Sequence, residues 1–535
     1  MRAKQRIAVL STLFILFNLL AVVSLDRAFG RAHDLDRQSS SEAIHQKPGA
    51  DAGENILEPG RTIKRELAAG QRHIYRINLD ADQFLRAIVE QDRIDVVVRL
   101  SGPDGKQITE FDSESRPRGQ EPATLVAEAA GEHRLTVEPG QEGAAAGGYE
   151  IRIEELRPAT DDDRALQEAH KLIEESLKLR RAGRFDQALS PVERAVVIRQ
   201  RVLGPEHPSV AHPLNNLGQL HQEKGDYAKA EPLFIRALGI REKALGPEHP
   251  DVASTLNNLA SLYLNKGAYT KAEQLYRRGL LILEKALDPQ HFKVAGNLNN
   301  LGVLYRNTGD YAKAEPFFQR AVSIWEKAVG PQQPEVALAL NNLARLYDYK
   351  GDYLKAEPLL QRALTIREKA LGSDHPLVSV SLVYLANLYS DRGDYAQAEP
   401  LLQRALSIWE KGAGPEHPEV ANSSNSLASL YLITGDYAKA EPLLQRALSI
   451  WEKTQGPEHR NVAAALANLS NLYRNKGDYG KAEAFIERAL AIFEKAMGPE
   501  HPDVAEALDT LAAISAAKGD FVRAISFQLR ANAIS

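Results

Sequence analysis

The chain is 535 residues long, 44% hydrophobic and 26% charged, with 66 Lys and Arg against 71 Asp and Glu. A formal net charge of -5 over that length gives no electrostatic ground for binding nucleic acid or an anionic membrane, and the composition is that of an ordinary soluble globular protein. The absence of cysteine excludes thiol nucleophiles, disulfide frameworks, zinc–thiolate sites and thiol redox chemistry.

Arg2, Lys4 and Arg6 precede the uncharged stretch Ile7 to Leu25, the charged-then-apolar order of a signal peptide or signal anchor over residues 1–30. As a helix, its 19 residues span about 28 Å at about 1.5 Å per residue, close to the roughly 30 Å of a bilayer core, so retention in the inner membrane is one reading. Cleavage is the other: Ala28-Phe29-Gly30 offers small residues at the required positions, although the apolar run exceeds the usual signal length of about 7 to 15. Both predict an exported, periplasmic or extracytoplasmic chain, with membrane contact only through residues 7–25 if uncleaved. Residues 31–54, with Ser39-Ser40-Ser41 and few aliphatics, read as a flexible linker.

Over residues 55–157 the pattern changes to short alternating runs separated by Gly, Pro and Asp. Tyr75, Ile77 and Leu79 alternate with Arg76 and Asn78, and Ile94, Val96, Val98 and Leu100 alternate with Asp95 and Arg99. That is the period of half-buried strands, and Pro103-Asp104-Gly105, Gly131 and Gly148 supply turns between them. Several short strands in about 100 residues predict an all-β sandwich. Asp95 and Asp104 lack the dense oxygen-ligand spacing of a calcium loop and read as a solvent-facing strand residue and a turn residue. Through Leu57-Glu58-Pro59-Gly60, His73-Ile74-Tyr75, Ile94-Asp95-Val96, Pro103-Asp104-Gly105, Gly131 with Leu135, and Gly147-Gly148-Tyr149, the segment resembles the pre-peptidase carboxy-terminal type of β-sandwich found in bacterial exported proteins. Similar sandwiches often precede helical repeats in proteins ending in a caspase-like module. That module needs a catalytic Cys, so here the resemblance implies an accessory, adhesive or partner-binding domain without catalysis.

Residues 162–535 repeat themselves. Glycine recurs at 183, 225, 267, 309, 351, 393, 435, 477 and 519, each 42 residues after the last, and a fixed period in this range predicts a solenoid. Within a repeat, Leu214, Leu217, Leu220 and His221 mark the apolar face of a first helix. Gly225 suits a left-handed helix end, Asp226 is placed to cap a second helix, and Leu233, Ala237, Leu238 and Ile240 mark that helix's core face. Pro232 lies near its start, and Gly246-Pro247-Glu248-His249-Pro250 links to the next repeat. Nine such hairpins make eighteen helices. Leu256-Asn257-Asn258-Leu259-Ala260-Ser261-Leu262-Tyr263 and Gly309-Asp310-Tyr311-Ala312-Lys313-Ala314-Glu315-Pro316 are similar to tetratricopeptide repeats of the kinesin light chain type. The resemblance implies a mainly α fold, a right-handed α-solenoid after the β-sandwich. The first repeat departs from it with Gly183-Arg184-Phe185, as an end cap does.

At about 100° per residue, Leu214, Leu217 and His221 gather on one side of the first helix, Asn215, Gln219 and Gln222 lie opposite, and Asn216 lies at the flank. Two polar columns follow: Asn215, Asn257, Asn299, Asn341 and Asn425, then Asn216, Asn258, Asn300, Asn342 and Asn468. An amide both donates and accepts, so a row of amides pairs with an extended peptide backbone whatever its sequence. In the light-chain-like family, asparagines matching these columns line the concave groove and hold cargo peptide, which the resemblance implies for these ten residues. The columns break at Val383-Tyr384, Ala467 and Asp509-Thr510. The competing reading is that the amides bond between neighbouring first helices and staple the stack.

Trp325, Trp409 and Trp451 share a column of the second helices with Arg199, Arg241, Leu283, Arg367 and Phe493. Arg and aromatics are enriched at binding hot spots, so Trp325, Trp409, Trp451, Arg241 and Arg367 form a candidate second contact ridge, against burial on the adjacent proline linker. Thirteen of the eighteen tyrosines fall in two periodic columns, containing Tyr263 and Tyr227, and read as packing. One histidine per linker, at 207, 249, 291, 375, 417, 459 and 501, is spaced too widely for zinc and reads as linker packing or helix capping. No phosphate loop, His-Glu-x-x-His or Gly-x-Ser-x-Gly occurs. The sequence therefore predicts a scaffold that is not an enzyme, has no cofactor or metal, and binds protein or peptide partners rather than nucleic acid. The alternative is a subunit that positions a separately encoded enzyme such as a caspase-like protease.

Overall fold

The computed structural model describes residues 56–68, 70–111, 118–140 and 146–534, so the leader and linker expected before residue 55 lie outside the described residues. Among the described residues no helix is long and apolar enough to cross a membrane. They form two compact units, one running to Glu174 and taking in Arg194–Pro205, the other comprising Glu175–Glu193 and Glu206 onward.

The first unit contains eight strands: β1 (Thr62–Leu67), β2 (His73–Leu79), β3 (Gln83–Asp92), β4 (Val96–Ser101), β5 (Gln107–Phe111), β6 (Arg118–Val126), β7 (Gly131–Pro139) and β8 (Gly147–Pro158). They build two antiparallel sheets, in the orders β1-β8-β3-β6 and β2-β7-β4-β5. Tyr75, Ile77 and Leu79 point inward as their alternation requires, and with Leu85, Val89, Val96, Val98, Leu100, Leu135, Val137 and Ile151 they fill the core. The Tyr75 and Tyr149 hydroxyls, 2.6 Å apart, satisfy each other inside it. Asp104 closes its own turn by accepting the Lys106 amide at 3.0 Å. The helix that opens at Asp161 belongs to this unit as far as Glu174. Its Gln167 side chain exchanges two hydrogen bonds with the backbone of Val126 at the end of β6, and His170 bonds Thr109 while stacking on Phe111.

Eighteen α-helices follow the strands, in nine hairpins. Repeat one is Asp161–Arg181 with Phe185–Leu203, repeat two Ala211–Glu223 with Tyr227–Leu245, repeat three Pro250–Asn265 with Tyr269–Ala286, and repeat four Phe292–Asn307 with Tyr311–Ala328. Repeats five to nine pair Pro334–Tyr349 with Tyr353–Leu371, Pro376–Asp391 with Tyr395–Ala413, Pro418–Thr434 with Tyr437–Thr454, Arg460–Asn475 with Tyr479–Met497, and Pro502–Ala517 with Phe521–Ile534.

The turn glycines have φ between 68° and 86°, the left-handed region closed to most side chains. The aspartate that follows each turn caps less often than its position predicts. Asp310, Asp436 and Asp478 accept the amide three residues on, whereas Asp226, Asp352 and Asp394 do not. Asp226 is drawn instead toward Lys229 and His221. Capping falls to the linker histidines: Nδ1 of His207, His249, His291, His375, His417, His459 and His501 each accepts the amide two residues on, at 3.1–3.2 Å. Gln333 holds the equivalent place in one linker and makes no side-chain cap.

That cap fixes the tautomer, because an accepting Nδ1 leaves the proton on Nε2. The Nε2 of His417 donates to the carbonyl of Arg181 at 3.2 Å, and His459 bonds the backbone of Glu223. The ring edges of His459 and His501 lie where a Cβ on Gly225 and Gly267 would stand, at 2.9 and 3.1 Å, and Pro418 crowds Gly183 in the same way. The solenoid thus coils until repeats seven to nine rest on the turns of repeats one to three.

Candidate peptide-binding face

The first helices form the inner layer. In repeats six to eight they have no exposed residue between the helix start and the last turn, whereas the second helices keep one face in solvent. From repeat three onward each second helix is tied to the preceding one by an Arg–Glu pair, as in Arg278–Glu242, Arg362–Glu326 and Arg446–Glu410. The periodic tyrosines pack as predicted and add a bond: the hydroxyls of Tyr263, Tyr305, Tyr347, Tyr389, Tyr431 and Tyr473 donate to a glutamate of the preceding repeat.

The two asparagine columns occupy different places. All five members of the first bond the next first helix. Asn215 donates to Thr255 (3.2 Å) and Asn341 to Ser381 (3.2 Å), while Asn257 accepts from Asn297 (2.7 Å), Asn299 from Asn342 (3.0 Å) and Asn425 from Asn468 (2.8 Å). These side chains sit in the seam between first helices, where each makes one bond across it, and the oxygens of Asn215 and Asn341 remain buried without one. The second column, placed at the flank by the sequence pattern, stands closer to the face opposite the core. In repeat three, Ser254, Asn258, Ser261 and Asn265 recur at i, i+4, i+7 and i+11 and form one half-buried stripe away from Val252, Leu256 and Leu259. Asn342 and Asn468 of this column are drawn into the seam bonds. Asn216 has neither amide atom bonded, the Asn258 nitrogen has no partner, and Asn300 is half-buried at the same register.

Further along the stripe, sequence periodicity missed the residues that break the pattern. The oxygens of Asn307, Asn387, Asn422 and Asn471 are buried without a hydrogen bond, as are both carboxylate oxygens of Glu506. Glu419, one position earlier in the same layer, accepts a 2.7 Å bond from Asn422, and burial raises its pKa to about 8. Between repeats five and six, Arg345 contacts Asp348 at 2.6 Å and Asp391 at 3.4 Å and lies 4.8 Å over the ring of Tyr349. Burial raises the Asp391 pKa to about 7 against the pull of Arg345. The signal was present as substitutions at Arg345, Asp391 and Glu506, which stand where most other repeats carry uncharged residues, whereas the Glu419 register is acidic in several repeats, as at Asp251, Glu335 and Asp503.

The second-helix column needs correcting. Trp325, Trp409 and Trp451 are only 5, 3 and 1% exposed, and Arg367 is 2% exposed, so they form no surface ridge. Arg241 and Arg367 reach the start of the next first helix, bonding the carbonyls of Asp251 and Leu377 and the hydroxyls of Thr255 and Ser381. The tryptophans cover the same spot, and Trp409 stacks on the capping His417 with centroids 5.2 Å apart. Arg and Trp alternate because either can seal one repeat against the next. Among the described residues no group of three or more His, Asp or Glu side chains is arranged to hold a metal ion.

Solved structures similar to the chain include BtubC (BKLC) from P. vanneervenii, with 27% identity over 43% of this chain and 89% of that one and a TM-score of 0.35. A Podosopora anserina kinesin light chain assignment with nearly identical TPR-like repeats matches at 30% identity, covering 38% of this chain and 96% of that one, with a TM-score of 0.33. A Rap protein complexed with Competence and Sporulation Factor matches at 16% identity over 69% of this chain and 98% of that one, with a TM-score of 0.47. No curated protein is significantly similar to the chain in sequence. The tetratricopeptide repeat profile matches residues 177–243, 213–285, 293–369, 349–411, 377–453, 419–495 and 462–535. With the helical-hairpin period, the glycine turns and the inner layer of first helices, that match makes the chain a member of the tetratricopeptide repeat family.

Proposed function

We propose that the chain is a non-catalytic scaffold that holds extended peptide segments of partner proteins against the inner stripe of its first helices. The observation that carries this reading is the difference between the two asparagine columns: every seam asparagine bonds the next first helix, although the oxygens of Asn215 and Asn341 stay unbonded, whereas Asn216 has neither amide atom bonded and Asn258 keeps an unbonded nitrogen on the stripe. Buried polar groups in folded proteins are almost always bonded, and an unbonded group costs about 1–3 kcal/mol. An extended backbone supplies alternating donors and acceptors, which is the complement a row of amides needs. Asn258 and Asn300 are half-buried and form the accessible entry to the stripe, and Asn216 continues it toward the first repeat.

The basic residues and apolar run of residues 2–25 support export, with the repeats acting outside the cytoplasm. Protease added to intact cells and to spheroplasts reads that location directly.

The test of function is affinity capture from envelope extract on the full chain beside the Asn216→Ala, Asn258→Ala, Asn300→Ala variant. A partner lost by a variant that melts like the wild type supports the stripe. A partner retained in full refutes it, and a stoichiometric enzyme among the captured proteins assigns the chain to positioning that enzyme.

A further inference from the structure

Resting on the peptide-binding reading, the geometry points to a charge preference for the ligand. We infer that the inner stripe of repeats six to nine takes a basic peptide segment, whose guanidinium or ammonium groups bond Glu506 and Glu419 and whose N–H groups bond the oxygens of Asn387, Asn422 and Asn471.

Three observations converge. Glu506 has both carboxylate oxygens buried and unbonded, and among the described residues no lysine or arginine forms an ion pair with it or with Glu419. The unsatisfied side-chain atoms on this part of the stripe, at Asn387, Asn422, Asn471 and Glu506, are all acceptors. Asn422 turns its nitrogen to Glu419, and in the ionised form that a bound cation favours Glu419 only accepts, which leaves the Asn422 oxygen unbonded. An acceptor-only face repels an acidic peptide and is filled by a donor-rich one, and the guanidinium, with five N–H donors and no acceptor, is the most donor-rich side chain.

The charged groups around the two glutamates reinforce this. Asp503 and Asp509 flank Glu506, with Asp503 already bonded to Arg460 at 3.2 Å; Glu223 faces Glu419, and its own charge is held by Arg180 at 2.6 Å. Burial raises both glutamates' pKa values, and an arriving cation reverses that, so binding releases protons near neutral pH. Repeats seven and nine also carry the capping histidines that touch the turns of repeats one and three, so these carboxylates lie in the part of the inner layer covered by the coil's return.

The experiment is fluorescence anisotropy on the full chain with a labelled nonapeptide of alternating arginine and glycine, beside its citrulline counterpart, which keeps shape and most donors but not the charge. The arginine peptide is expected to bind at least tenfold more tightly than the citrulline peptide at pH 7.5, and more tightly at pH 8.5 than at pH 6. The Glu419→Gln, Glu506→Gln variant removes that difference while melting at or above the wild-type temperature. Equal binding of both peptides by wild type overturns the charge preference while leaving the peptide-binding reading intact. So does an arginine preference unchanged in the double variant, which would place the attraction on the outer surface. Failure of both peptides to bind, together with retention of captured partners by the Asn216, Asn258, Asn300 variant, overturns both readings.

Discussion

Two polar stripes run along the same first helices, less than a third of a turn apart, and do different work. The seam column of Asn215, Asn257, Asn299, Asn341 and Asn425 bonds the neighbouring repeat at every position. The inner stripe, from Asn216 and Asn258 to Asn471 and Glu506, holds polar atoms that bond nothing in the chain. The same residue type is thus structural in one column and available in the next, and the difference lies in whether the helix rotation brings a partner within reach. Asparagine repetition alone says nothing about which of the two it is.

The comparison breaks most visibly if the seam is cut on one side only. Asn257→Ala, Asn299→Ala and Asn425→Ala together strand the amide nitrogens of Asn297, Asn342 and Asn468. At about 1–3 kcal/mol per lost buried bond, taken as additive, the triple variant loses about 3–9 kcal/mol, read by urea titration.

Acid sharpens the same contrast at the coil's return. Burial lowers the pKa of His459 to about 3, and lowers those of His417 and His501 as well. A histidine whose folded pKa lies below its unfolded value of about 6.5 contributes full stability above that value and loses it as pH falls toward the folded pKa. The stability these histidines supply is therefore expected to hold from pH 8 to pH 7 and to fall progressively from pH 6.5 to pH 4, while the raised carboxyls of Asp391, Glu419 and Glu506 contribute in the opposite sense. His459→Gln, mimicking the uncapped linker at Gln333, flattens part of that fall.

The inner stripe responds in the opposite sense. Asn216→Ala, Asn258→Ala and Asn300→Ala cost less than about 1 kcal/mol together, since they break no seam bond, while removing ligand. Smallest is Glu506→Gln. An acid whose folded pKa is raised loses stability as pH rises above its unfolded value of about 4.3, so the neutral amide melts at least as high as the wild type at pH 7.5 and gains nothing at pH 4.

Much of this was legible in the sequence. The 42-residue period fixed the hairpins, the left-handed glycines and the core columns, because those depend on contacts within one repeat or with the next. The histidine caps were legible for the same reason. What was not legible depends on the coil as a whole: the return of repeats seven to nine onto repeats one to three is the sum of small rotations per repeat, to which no local pattern responds. The tryptophan column was misjudged by being read alone. Fourteen residues after Arg241 and Arg367 stand Thr255 and Ser381, which their guanidinium groups bond, whereas Trp325 and Trp451 are followed by Ala339 and Ala465. Arginine meets a hydroxyl at both positions, while tryptophan meets a methyl at two and Ser423 at the third, after Trp409. The acidic end of the stripe was overlooked because Glu506 breaks its register, and attention to periodicity passes over breaks.

The most direct test of the account compares the two triple variants side by side: binding of a captured partner segment and melting temperature for Asn216, Asn258, Asn300→Ala and for Asn257, Asn299, Asn425→Ala. The account predicts that the first loses binding at an unchanged melting temperature, and that the second loses several degrees while the fraction still folded binds normally. Unchanged affinity in the first variant would contradict it and leave the inner stripe without a role in recognition.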